Sequence, residues 1–168
     1  MTVTTMSDLF HELLKDVYYA EKKLVKTLPK LAKESSNEEL ADAFTSHLAE
    51  TEEHVARLEK VFDMIGEKPT AKKCDAIEGI VAEGEEVIDE VKDEKVKDAG
   101  LIASGQAAEH YEMARYGTLI AWAELLGLSD AVPLLEDTLE EEKAADKKLS
   151  EISDSANEEA LAAEPQQA

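Results

Sequence analysis

Residues 107–120 read AAEHYEMARYGTLI and set Glu109 and Glu112 three residues apart. On an α-helix that spacing puts both carboxylates on one face, the face that also carries Met113, Tyr116 and Ile120. A helix turns such a face inward, where a carboxylate is costly unless it is paired or bound to a metal. The same anomaly recurs in three other segments. Glu21 interrupts a run of Leu9, Leu13, Val17, Leu24, Leu28 and Leu31. His47 and either Glu50 or Thr51 share a stripe with Leu40, Phe44, His54, Leu58 and Val61, with Glu53 close by. Glu142 and Asp146 fall among Leu135, Leu139 and Leu149, with Glu141 on the flank.

These groups have one obvious joint chemistry. Each lies near the middle of its segment, so antiparallel helices of similar length would bring them to one level. Several carboxylates in one dry layer repel one another unless some are protonated or cations sit between them. Two ions of charge +2 would neutralise about four carboxylates, the arithmetic of a di-metal site in a bundle core. Oxygen-rich ligation with one or two imidazoles suits iron or manganese. The expected ligands are Glu21, His47, Glu50, Glu109, Glu112, Glu142 and Asp146. His54 is as well placed to face solvent as metal, and Glu53 and Glu141, taken singly, read as solvated charges. His110 points about 100° away from Glu109 and belongs at the boundary, behind the ligands. Tyr116, one turn beyond Glu112, reads as a core tyrosine whose hydroxyl needs a partner, with electron or proton donation to a metal as the alternative. Trp122 and Ile120 read as packing residues.

Four long amphipathic helices would have to hold this layer. The first is expected over 7–34, with Ser7 as N-cap and Pro29 kinking it or ending it early. The second is expected over 38–65, closed by Gly66, and the third over 96–126, closed by Gly127. The fourth follows Leu128, Ser129 and Asp130, tolerates Pro133 in its first turn, and runs to about residue 152. Helix connections in bundles usually span about 2–8 residues. The 67–95 interval is far longer, and its CDAIEGIVAEGEEVIDEVKD segment reads as a helix. An all-α four-helix bundle with one long, helix-containing crossover between the second and third helices is the ferritin-like arrangement. The bundle is assigned to 1–152 and a flexible acidic tail to 153–168.

Bulk composition narrows the function. The 168 residues allow one domain with a real core. Against 18 basic residues stand 39 acidic ones, for a net charge of −21. That excludes nucleic acid and anionic membrane as direct partners, since both require a cationic face. So acidic a surface suits a halophile's protein, kept soluble in high salt, and it also gathers cations. Cys74 is the only cysteine, so no intrachain disulfide forms. The start MTVTTMSDLF lacks the basic residues and apolar run of a signal peptide, and a cytoplasmic protein is expected.

Four stretches together carry a family resemblance: DVYYAEKKLVKTLPKLA, HLAETEEHVARLE, AAEHYEMARYGTLIAWAELLG and LLEDTLEEEKAADKKL. In order and spacing over about 7–152 the chain resembles the YciE/YciF-like stress proteins of the ferritin-like superfamily. The resemblance implies a ferritin-like bundle, a homodimer and a role in stress, and it names the fold better than the activity. Ferritin-like di-iron proteins use one Glu from each of two helices and Glu-x-x-His from the other two. Carried over on that resemblance, Glu21 is the first-helix ligand, Glu50 the bridging carboxylate of the second, Glu109 with Glu112 the third, and Glu142 the fourth. The histidines do not carry over: the chain has no Glu-x-x-His, His47 precedes Glu50, and the fourth helix offers Asp146 instead. That leaves a site that is more oxygen-rich, weaker, mononuclear or lost. The functional expectation is a stress protein with two iron or manganese ions that reacts with peroxide or dioxygen or handles iron; the alternative is a dimeric bundle with no redox metal.

Overall fold

The computed structural model describes residues 3–163, all of whose regular structure is helical. Five helices follow one another: α1 Met6–Glu34, α2 Glu38–Met64, α3 Asp75–Glu90, α4 Glu94–Leu125 and α5 Val132–Ala163. Four long helices form the bundle, and α3 rides in the crossover between α2 and α4, packed on α4 and α1. Around the bundle the order is α1, α2, α5, α4, so that each long helix has two long neighbours. No helix among the described residues is long and apolar enough to cross a membrane.

Local chemistry explains where the helices start and stop. Thr5, not Ser7, caps α1: its hydroxyl accepts from the Asp8 N–H, and the Asp8 carboxylate accepts from the Thr5 N–H. This reciprocal capping box satisfies two free donors, which a cap at Ser7 would not. Asn37 caps α2 and Asp93 caps α4. Gly66 and Gly127 follow the ends of α2 and α4 with φ of 74° and 71°, a left-handed conformation that glycine adopts without strain. Helix α1 runs through Pro29 to Glu34 instead of ending at it. The last helix also departs from expectation. It continues past Ile152 to Ala163, with Ala156 buried against the core, so the segment expected to be a tail is helical as far as it is described. Residues 164–168 lie outside the described residues.

The core is split. One apolar cluster contains Leu24, Leu28, Phe44, Leu101, Ile102 and Leu149; the other contains Phe10, Leu14, Val17, Leu58, Phe62, Tyr116, Leu119 and Leu135. On every long helix the residues between the two clusters include buried polar ones: Glu21 on α1; His47, Thr51 and His54 on α2; Glu109 and Glu112 on α4; Thr138 and Glu142 on α5. Sequence pattern thus sets a polar layer between two apolar ones.

Candidate metal centre

Six ionisable side chains meet in that layer. Glu142, from α5, is at its centre. One of its oxygens, Oε1, lies 3.1 Å from His54 Nδ1, and the other, Oε2, lies 3.3 Å from His47 Nε2. Glu21 Oε1 from α1 stands 3.5 Å from His54 Nδ1. Glu109 Oε1 from α4 stands 3.3 Å from His47 Nε2. Two triads result, Glu21–His54–Glu142 and His47–Glu109–Glu142, in each of which the donor atoms lie within 4.8 Å of one another. Both triads share Glu142. Glu112 is fully buried beside them, and neither of its oxygens has a hydrogen-bond partner.

Each imidazole is held from outside by a carboxylate. His47 Nδ1 lies 3.0 Å from Glu50 Oε2, and His54 Nε2 lies 2.9 Å from Glu141 Oε2. Arg57 clamps Glu141 through its two terminal guanidinium nitrogens, Nη1 and Nη2. The effect is to aim the second nitrogen of each ring inward, the arrangement in which an outer carboxylate orients a metal-ligating histidine. The Tyr116 hydroxyl donates to Glu21. Thr51 fills the turn between the two histidines, its hydroxyl spent on the His47 carbonyl at 2.8 Å.

The electrostatics are those of a crowded buried site. Burial, and then neighbouring carboxylates, push Glu112 well above the usual carboxylate range. Glu109 is raised chiefly by burial, against the pull of His47. Glu21 is raised for the same reason, with His54 opposing. Glu142 goes the other way: burial alone would raise it, but both histidines hold it low. Burial would lower His54, yet Glu142 and Glu21 override it and bring it to about 10. His47 is likewise raised by Glu142, Glu50 and Glu109 against burial.

Of the residues expected to bind metal, the structure brings Glu21, His47, Glu109, Glu112 and Glu142 together. Glu50 is not among them. Its side chain is 43% exposed and reaches the site only through His47, because Thr51 takes the inward position of that turn. Asp146 also lies outside, 3.2 Å from His110 Nε2, and His110 itself is mostly exposed. From Glu142 to Asp146 a helix turns about 400°, so the two directions diverge by about 40°. Tyr116 is in the core with its partner found, and His110 makes no contact with the cluster. Two residues of the cluster and its support carry little signal in the sequence. His54 is fully buried in the cluster, a position its apolar stripe already indicated; Glu141 supports it, for which the sequence carried no signal beyond adjacency to Glu142.

Fold and site together define a class: a ferritin-like helical bundle with a buried carboxylate–histidine layer. Residues 5–162 match the model of the family described as Domain of unknown function (DUF892), and the chain belongs to that family. It is 46% identical over 153 residues to protein YciF of Escherichia coli (strain K12), a match covering 90% of this chain and 92% of that one. The crystal structure of the E. coli stress protein YciF superposes with a TM-score of 0.89 at 44% identity, covering 93% of this chain and 99% of that one. YcfI from Rhodopseudomonas palustris gives 0.86 at 48% identity, over 88% of this chain and 94% of that one. A Xanthomonas campestris protein at 22% identity and TM-score 0.74, over 93% and 95%, shares the fold.

Proposed function

We propose that this chain is a stress-response protein whose central layer holds two iron or manganese ions and reacts with peroxide or dioxygen, or handles iron. The observation that carries this reading is the convergence of four carboxylates and two imidazoles from four helices, with buried oxygens of Glu21, Glu109, Glu112 and Glu142 lacking partners. Leaving such groups unpaired is expensive, whereas two ions of charge +2 balance four carboxylates. Glu21 and His54 would hold one ion, His47 and Glu109 the other, and Glu142 both, with Glu112 completing the charge balance. When bound, such ions supply the electrons that reduce an oxidant. The protein's own part is positional. Glu50 and Glu141 fix the imidazoles, the Tyr116 hydroxyl holds Glu21 in place, and the apolar clusters on either side keep water out. A homodimer belongs to the same reading, on the family likeness, and the mass in solution tests it.

The experiment is peroxide consumption by protein loaded anaerobically with Fe(II). Glu109→Ala is expected to lower the metal content from two ions to about one per chain and turnover at least about tenfold, the scale on which loss of a ligand's support already acts. Unchanged values in both would sink the assignment. A second reading, a non-enzymatic stress bundle, draws support from one feature: charged His47 and His54 compensate Glu142, and burial favours the neutral forms of Glu109 and Glu112, so the layer can close without metal. On that reading the melting temperature is the same before and after exhaustive chelation; on the metal reading it falls.

A further inference from the structure

The polar layer is not sealed equally on all sides. Glu21, His54, Glu112 and Glu142 are 0% exposed, whereas His47 keeps 6% and Glu109 4%. These last two are the cluster residues that line a cavity of about 460 Å³ between α2 and α5. Phe44, Ala145 and Leu149 give it apolar walls, and Glu39, Asp42, Glu50 and Lys148 supply its charged groups. Lys148 pairs with Glu39, so three carboxylates face one ammonium that is already engaged. Behind this wall, His47 Nε2 and Glu109 Oε2 are buried with no hydrogen-bond partner, His47 Nε2 facing Glu109 Oε1 and Glu142 Oε2 at 3.3 Å.

We infer that this cavity is the port through which divalent cations reach the layer, and that the His47–Glu109 half fills before the Glu21–His54 half. The inference rests on the di-metal reading above. Size permits it: six waters at about 30 Å³ each occupy about 180 Å³, so a hydrated ion fits with room to spare. Charge favours it, because a recess lined by acids concentrates cations. The order follows from the geometry at Glu142. Its Oε2 faces the His47 side and its Oε1 the His54 side, so an ion arriving at His47 must pass this carboxylate to reach Glu21. Glu50 stands on the cavity wall and touches His47, which makes it the carboxylate on which an incoming ion first rests.

The test is stopped-flow uptake of Co(II) by the full chain, followed through its visible ligand-field bands. The expected wild-type result is two Co(II) per chain in two phases. Ala145→Trp fills the cavity and is expected to slow the first phase at least tenfold with the final stoichiometry kept. Asp42→Asn is expected to slow it two- to threefold at low salt and not at high salt, as screening predicts. His54→Ala should keep the fast phase and lose the slow one. Wild-type rates in both Ala145→Trp and Asp42→Asn would overturn the port, and Asp42→Asn decides alone if the tryptophan variant loses its helical circular dichroism. A fast phase lost in His54→Ala would overturn the order of filling. A wild-type chain that takes up no Co(II) rejects the di-metal reading itself, and the port with it.

Discussion

At the scale of single residues, Glu142 is the position on which the site turns. Its two oxygens face different histidines, so its removal should empty both triads at once. Glu142→Ala is expected to bring the metal content from two ions per chain to below one, while Glu21→Ala leaves one ion, as elemental analysis would show. The outer carboxylates should behave differently. Glu50→Gln and Glu141→Gln should keep the capacity for two ions and weaken affinity about 10–100-fold, the usual cost of losing the support of a ligating histidine. Capacity lost in Glu50→Gln would restore it as a ligand. These roles were unevenly legible. Glu21, Glu109, Glu112 and Glu142 were visible because each breaks an apolar stripe at helical spacing. Glu50 and Thr51 were not separable, since adjacent residues differ by about 100° and only packing against α1 and α5 fixes how α2 is rotated. His54 lay in the stripe as well, but its role depends on Glu21 from α1 and Glu142 from α5, which no single segment reveals.

At the scale of the elements, the helices are held by caps and by close approach. Gly100 and Gly79 make opposite predictions. A Cβ at Gly100 would stand 2.6 Å from Val87 Cγ1, on the stiff side chain through which α3 packs on α4, whereas a Cβ at Gly79 meets nothing within 4 Å. Overpacking costs about 1–3 kcal/mol, against a gain of about 1 kcal/mol when alanine replaces a helical glycine. Gly100→Ala should therefore lower the denaturation midpoint and Gly79→Ala should raise it, in urea titrations followed by circular dichroism. The helix count, the crossover and the helix within it were readable from periodicity and from the length of the 67–95 interval. The extension of α5 beyond Ile152 was not. It leaves Leu161 exposed, and the contact that orders it, Ala156 against the apolar cluster, is made by a small residue with a weak periodic signal.

At the scale of the whole molecule, protons and metal ions compete for one layer. In the metal-free protein His54 titrates at about 10, above its ordinary 6.5. Its pairing therefore stabilises the fold fully below about pH 6.5 and fades as pH rises through about 10. Glu21, Glu109 and Glu112, also raised, act with the same sign: they favour the fold while protonated and oppose it as they ionise. Glu142, lowered, opposes this only in acid, where its contribution is lost as pH falls. The metal-free melting temperature should accordingly fall between pH 6.5 and 10, and bound metal should flatten that slope. Because both histidines, and the buried Glu109 and Glu112 carboxyls that stay neutral without metal, must give up protons to bind, loading at pH 7 should release more than two protons per chain, measurable by calorimetry in buffers of different ionisation enthalpy.

The central claim is that the layer is a metal site, and counting metal tests it most directly. The protein is purified without chelator or nickel resin, washed with excess calcium, and its elements are measured by mass spectrometry. The account predicts close to two iron or manganese ions per chain, retained through the wash. Zero metal, followed by no uptake of anaerobic Fe(II), would contradict it and leave a structural bundle whose buried carboxylates are balanced by His47, His54 and their own protons.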